Sequence, residues 1–265
     1  MQTGMVVVGI GEIGAVIAHG FMRLGLPVYP VVRGMDMQQC ARAWPLPQAV
    51  VIATGEAELS QVLRDMPVIW RDRAVLLQNE LLPRDWLTSN LTNPTVISIW
   101  FEKKRGQDVK VLLSSPAYGP HGACLVRCLN SVNIPAHTVA DERAMLFELV
   151  RKNVYILTIN IAGLECGGDV AGLWTHHRAL AERVAHEVMD VQDYLTGHPF
   201  ERAKLMLGLA EGIQGDPKHL CLGRSAPMRL TRLLEHAQTA GLAVPTLRRI
   251  FAQYVNARVN EVVKS

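Results

Sequence analysis

An α/β domain followed by an all-helical domain is the fold class this sequence predicts, on three observations. Short continuous apolar runs alternate with helix-patterned segments through the first 140 residues. The first of these runs, Met5 to Val8, opens directly into a loop with glycines at positions 9, 11 and 14. From about Ala140 the strand-like runs stop, and apolar residues recur only at helical spacing. The expected division is 1–140 and 141–265.

The elements follow in order. Met5 to Val8 reads as a strand, Ile13 to Leu24 as a helix and Val28 to Val32 as a second strand. Ala49 to Thr54 is a third strand, followed by a helical Ala57 to Arg64. Ala74 to Gln78 and Thr95 to Trp100 supply the fourth and fifth, and Val109 to Leu113 a later one after the Arg105-Gly106 turn. Strands that are apolar on both faces belong to a parallel sheet covered by helices on each side. Tyr118-Gly119-Pro120-His121-Gly122 reads as a turn entering a helix. Beyond residue 140, Asp141-Glu142-Arg143 starts a helix with acidic residues in its first turn, where the helix dipole favours them. Segments near 175–196, 200–213, 226–240 and 246–262 are also helical, with Gly241 closing one and Pro245 opening the next.

The loop Gly9, Ile10, Gly11, Glu12, Ile13, Gly14 fits GxGxxG in the setting that gives the pattern meaning, strand before and helix after. In such a loop the first glycine permits a tight turn. The second lets the backbone approach a pyrophosphate, and the third lets the helix pack close to the strand. The helix N-terminus then offers free N–H groups to the phosphates. This makes the first domain Rossmann-type and dinucleotide-binding. Binders of NAD place an acidic residue after the second strand, to hold the ribose 2′-hydroxyl. Here Val31-Val32-Arg33-Gly34 offers a guanidinium instead, which suits a 2′-phosphate, so NADP(H) is the expected cofactor. Thr54 and Asn79, at the ends of the third and fourth strands, are the further expected cofactor contacts, the Asn79 amide being suited to orient either cofactor or substrate.

Composition narrows the field. The chain has 265 residues, 49% hydrophobic and 19% charged, with a formal charge of +3, which describes an ordered protein rather than a nucleic-acid binder. Glu102-Lys103-Lys104-Arg105-Gly106 is the densest charge run and reads as a solvated turn. Five cysteines without a CxxC pair argue against a disulfide framework, and Cys124 and Cys128 read as buried free thiols. His176, His177, His186 and His198 lack metal-ligand spacing, and Ser114, Ser115 and Ser225 lack a nucleophile setting, so no metal site is expected. No leader peptide or membrane span is visible, which gives a cytoplasmic expectation.

With the loop, Arg33, the Gln78-Asn79 strand end and Lys152 in view, the chain resembles the ketopantoate reductase family over nearly its whole length. Arg151-Lys152-Asn153-Val154 is similar to the family's lysine-bearing helix, and Ala240-Gly241-Leu242-Ala243-Val244-Pro245 to its C-terminal helix junction. The resemblance implies a helical domain that handles substrate and dimerisation, with Lys152 as the catalytic residue. It places substrate contacts at Ile156, Asn160 and Ser225, where Asn160 keeps the family's amide. Ile156 and Ser225 replace the family's Asn and acidic residue, and Glu80 replaces a Gly beside Asn79. The family's nucleotide-contacting Lys falls near Glu56, and Glu211 or Asp216 is a substitute acid.

Two functions of different class stay open on these residues. One is an NADPH-dependent reductase of a small 2-keto acid-like carbonyl substrate, with Lys152 as proton donor and a less hydroxylated substrate than ketopantoate. The other is an inactive NADP(H)-binding relative that acts as a sensor or interaction protein. Amphipathic faces on the helical domain leave a homodimer open.

Overall fold

A computed structural model describes residues 3–264, with residues 258–264 as helix backbone only. The chain forms two compact units, Met1–Leu149 and Val150–Ser265, and the division between them falls inside a helix.

In the first unit, β1 (Met5–Val8), β2 (Val28–Val31), β3 (Ala49–Ile52), β4 (Ala74–Leu76) and β5 (Thr95–Ile97) pair in parallel in the order β2-β1-β3-β4-β5. Alternate side chains point to opposite faces. Val7, Val51, Val75 and Ile97 share one core with Ile17 and Phe21 of α1 (Glu12–Arg23) and Leu125 and Cys128 of α5 (Gly122–Asn130). Val6, Val8, Val50 and Ile52 are equally buried, as strands covered on both faces require. The remaining helices are α2 (Met37–Ala43), α3 (Leu59–Asp65) and α4 (Pro83–Leu87).

The sheet departs from the expected all-parallel form after β5. β8 (Ser115–Tyr118) runs antiparallel to β5, and β9 (Ala136–Thr138) adds parallel to β8, giving a seven-stranded mixed sheet. The expected strand at 109–113 is instead one arm of a separate hairpin, β6 (Phe101–Glu102) with β7 (Lys110–Val111), closed over the charged 103–106 turn. β9 carries Ala136, His137 and Thr138, none of them buried, so no apolar run announces it.

Helix α1 lies close against α5. A Cβ on Gly20 would stand 2.5 Å from the Cys128 carbonyl oxygen. The Cys128 thiol donates to the Ile17 carbonyl (3.3 Å), and Ser131 Oγ donates to that of Gly20 (3.1 Å). Burial pushes the Cys128 thiol far up from its ordinary range, as expected of a packing thiol.

The second unit is helical: the later part of α6 (Glu142–Cys166), then α7 (Val170–His176), α8 (Arg178–Thr196), α9 (Arg202–Gly215), α10 (Ala226–Thr239) and α11 (Pro245–Lys264). Every residue of α6 from Asn153 to Ala162 is buried, so this stretch is covered on all its faces. Two buried polar groups fix neighbours. Asn153 donates to Gln192 of α8 (3.0 Å), and Glu187 of α8 accepts from the backbone N–H groups of Thr246 and Leu247 (2.8 and 2.9 Å), closing the first turn of α11. No described helix is long and apolar enough to cross a membrane.

Candidate functional site

The glycine loop has the geometry its sequence predicts. Gly9 takes φ +90°, a conformation open to glycine and strained for other residues, and its N–H bonds the Val31 carbonyl (2.9 Å). A Cβ on Gly14 would stand 2.0 Å from the Gly9 carbonyl oxygen, so the turn and the helix can meet only through glycines here. Gly11 is the N-cap of α1, with no side chain capping the helix. A Cβ on Gly11 would meet no protein atom within 4 Å. The space in front of Gly11 is therefore open, beside free helix N–H groups, which is the arrangement a pyrophosphate needs. Ile10, Gly11 and Glu12 are exposed, and Ile13 is half-buried.

The neighbouring strand ends add to this cradle. Thr54, just past β3, has its hydroxyl oxygen buried with no hydrogen-bond partner among the described residues. Its methyl lies 3.1 Å from the Cβ position of Gly9, so the hydroxyl stands at the loop itself. A buried, unmatched hydroxyl is costly unless something else satisfies it. Gln78 ties β4 to β3, its amide nitrogen bonding the carbonyls of Ile52 (2.7 Å) and Thr54 (3.2 Å). That link fixes the strand end that presents half-buried Asn79. Glu80 follows at φ +59°. The other described non-glycine residues with positive φ are Asn90 and Asn133, a residue type that tolerates this region. Glu80 thus occupies a backbone state suited to the Gly that the family resemblance expects there. Taken together, the open Gly11, the backbone cradle and the orphan Thr54 hydroxyl fit a dinucleotide.

Arg33 stands after β2, and its guanidinium is engaged. Its Nη2 donates to Glu58 Oε1 at 2.8 Å, with the Arg33 side chain 91% exposed and Glu58 49% exposed. Glu58 belongs to the 3-10 turn Glu56–Glu58 after β3, and its second oxygen accepts from the Gly55 N–H (3.3 Å). This partner, 25 residues downstream, is not signalled by any motif.

The second unit holds the other expected residues on α6. Lys152, Ile156 and Asn160 are four residues apart, which stacks them along one helix face. Lys152 is half-buried, with its ammonium 5.9 Å from the ring centre of Tyr155. The Tyr155 hydroxyl is within 2.8 Å of His219 Nδ1. Ile156 is 9% exposed. Asn160 is 2% exposed and has partners at both ends of its amide: the nitrogen donates to the Cys221 carbonyl (3.0 Å), and the oxygen accepts from Arg229 Nη1 (2.7 Å). The Asn160 amide is thus satisfied within the helical unit, the capping role its buried position allows alongside a ligand contact. A buried amide must be matched, and here the protein itself matches it.

Ser225 is exposed at the N-cap of α10 and makes no side-chain cap. Its carbonyl accepts from the Arg229 N–H (2.9 Å), so Asn160, Arg229 and Ser225 meet through Arg229. Sequence reasoning did not find Tyr155, His219 or Arg229. Their partners lie 64 and 69 residues away. The loop bearing His219 and Cys221 is held to the α6–α7 turn: Val170 N–H bonds the His219 carbonyl (2.9 Å) and Cys221 N–H that of Gly168 (3.0 Å). It also lies directly on α6, since a Cβ on Gly163 would stand 2.7 Å from Cys221 Cβ. Burial, with Cys166 and Asp169 nearby, pushes the Cys221 thiol up to about 12, so it is not a nucleophile at neutral pH.

No protein-family model and no curated protein sequence matches this chain. Solved structures do. A PanE/ApbA family ketopantoate reductase from Ralstonia eutropha JMP134 superposes with TM-score 0.65 at 16% identity, over 94% of this chain and 97% of that one. A 2-dehydropantoate 2-reductase from Methylococcus capsulatus gives 0.67 at 14% identity, over 99% and 98%. A D-mandelate dehydrogenase solved with NADH and anilino(oxo)acetate gives 0.67 at 13% identity, over 97% and 99%. The two-unit fold, a Rossmann-type unit followed by a helical one, is shared with these enzymes from end to end.

Proposed function

We propose that the protein is a reductase of a small 2-oxo acid that uses a nicotinamide dinucleotide, with Lys152 as the proton donor. The observation that carries the reading is the glycine loop: an open Gly11 at a free helix N-terminus, beside a buried hydroxyl on Thr54 without a partner. The bound dinucleotide supplies a hydride to the carbonyl carbon. Gly9 to Gly14 bind its pyrophosphate through backbone N–H groups, and Asn79 and Thr54 orient its nicotinamide end. Lys152 holds the proton for the carbonyl oxygen and stabilises negative charge developing there. Tyr155 supports the Lys152 ammonium through its ring face. Arg229 lies in the helical unit with Asn160 as its positioning partner. Ile156 removes a donor from this face, which favours a substrate with an apolar group over a hydroxylated one. The 2-oxo acid class is supported by the shared fold, two of whose members are a ketopantoate reductase and a D-mandelate dehydrogenase.

The test is calorimetric titration with NADPH and NADH, then a panel of 2-oxo acids followed by loss of reduced nucleotide. Binding, turnover of an apolar 2-oxo acid, and a fall in kcat of about 10²–10⁴ in Lys152→Ala are the expected results. Turnover that survives Lys152→Ala removes the proton-donor assignment. Binding without turnover on the whole panel favours the sensor reading, which the replacement of two substrate-side residues and the internal engagement of Asn160 also support.

A further inference from the structure

The residues flanking the glycine loop carry a second message about the cofactor. Because β2 and β3 lie on either side of β1, the Arg33–Glu58 ion pair links the two strands that bracket the loop, at the end where it emerges. In this fold the adenosine ribose is read at the end of the second strand, by a carboxylate for a 2′-hydroxyl or by an arginine for a 2′-phosphate. This chain places both chemistries there and bonds them to each other. The carboxylate comes from β3 rather than β2, which is why the sequence after Val31 shows only the arginine.

We propose that Glu58 sets the choice between the two dinucleotides, and sets it against the 2′-phosphate. It takes the Arg33 Nη2 donor that a phosphate would compete for, and it adds a negative charge beside the same position. A 2′-hydroxyl meets no such obstacle, since it can donate to Glu58 while Arg33 keeps its partner. The second carboxylate oxygen is tied to the Gly55 N–H, so the side chain is held in place and is not a freely turning surface group. The protein on this view binds NADH at least as tightly as NADPH, although Arg33 alone points to NADP(H).

The proposal rests on the dinucleotide reading of the loop, and calorimetry on the full chain separates the two. Affinities for NADH and NADPH are measured in the wild type, Glu58→Gln and Arg33→Ala, with circular dichroism and a melting curve as the folding control. In Glu58→Gln the side-chain amide oxygen can still accept from the Gly55 N–H, so the turn persists. The expected result is wild-type binding of NADH at least equal to that of NADPH, with Glu58→Gln tightening NADPH by about tenfold, the scale of one charge-assisted hydrogen bond, and not tightening NADH. Arg33→Ala then weakens NADPH more than NADH. A wild type that prefers NADPH by more than about tenfold, or a Glu58→Gln ratio within about twofold of wild type, overturns the role of Glu58 and leaves the dinucleotide reading intact. Binding of neither nucleotide by the folded protein overturns both.

Discussion

Arg229 donates to Asn160 across 2.7 Å in the interior of the helical unit, joining α10 to the last third of α6. The arginine is 6% exposed, so its charge depends on matched partners rather than on water. Asn160→Ala removes one acceptor from the guanidinium and one donor from the Cys221 carbonyl. A loss of about 2–3 kcal/mol is expected in urea unfolding. Asn160→Asp retains an acceptor for Arg229 and is expected to lose less.

The glycine loop gives a contrasting pair. In Gly14→Ala the new Cβ meets a backbone oxygen at 2.0 Å, so the protein loses about 1–3 kcal/mol of stability. In Gly11→Ala no protein atom is in the way, and the cost to folding stays within about 1 kcal/mol, that of a poorer helix cap. On the proposed function, dinucleotide affinity nonetheless falls by about tenfold or more, because the methyl enters the space assigned to the pyrophosphate. Melting curves with calorimetry separate the two effects.

Glu187 holds the first turn of α11 by two backbone N–H groups while itself 9% exposed. Glu187→Ala strips both and should cost about 2 kcal/mol, the upper end for a helix cap. Glu187→Gln keeps one acceptor and should fall between. Hydrogen exchange at Thr246 and Leu247 reports the loss locally.

His121 leads into α5, and its imidazole has a lowered pKa, from burial first and then from Arg73, opposed by Asp72. The folded state therefore binds fewer protons than the unfolded chain in the window below 6.5, where a free histidine is charged. Its contribution is present above that window and is lost as the pH falls through it. Melting temperature should drop on acidification from neutral pH, and His121→Gln should flatten the drop.

The parts of this structure legible in the sequence are those where chemistry is local. The runs at Met5, Val28, Ala49 and Ala74 are apolar on both faces, and Gly9, Gly11 and Gly14 mark their turn within six positions. β9 was not legible, because an edge strand of Ala, His and Thr buries none of its residues. Nor was the reversal at β8, whose direction is set by pairing with β5 and not by its own side chains. On the site, Arg33 was visible and Glu58 was not, since a guanidinium after a strand is a motif but its distant acceptor is not. Asn160 was visible as a polar residue between Ile159 and Ile161, yet only its neighbours could show that its amide was already matched.

The seat of Cys128 against α1 has a kinetic consequence. Its thiol can meet a reagent in solution only after it releases the Ile17 carbonyl and the helix lifts away from the surface beneath Gly20. The rate at which Cys128 is alkylated, resolved from the other four cysteines by peptide mass, is thus a stopwatch for detachment of the helix that begins at the glycine loop. A ligand that grips the front of that helix should slow labelling at its back.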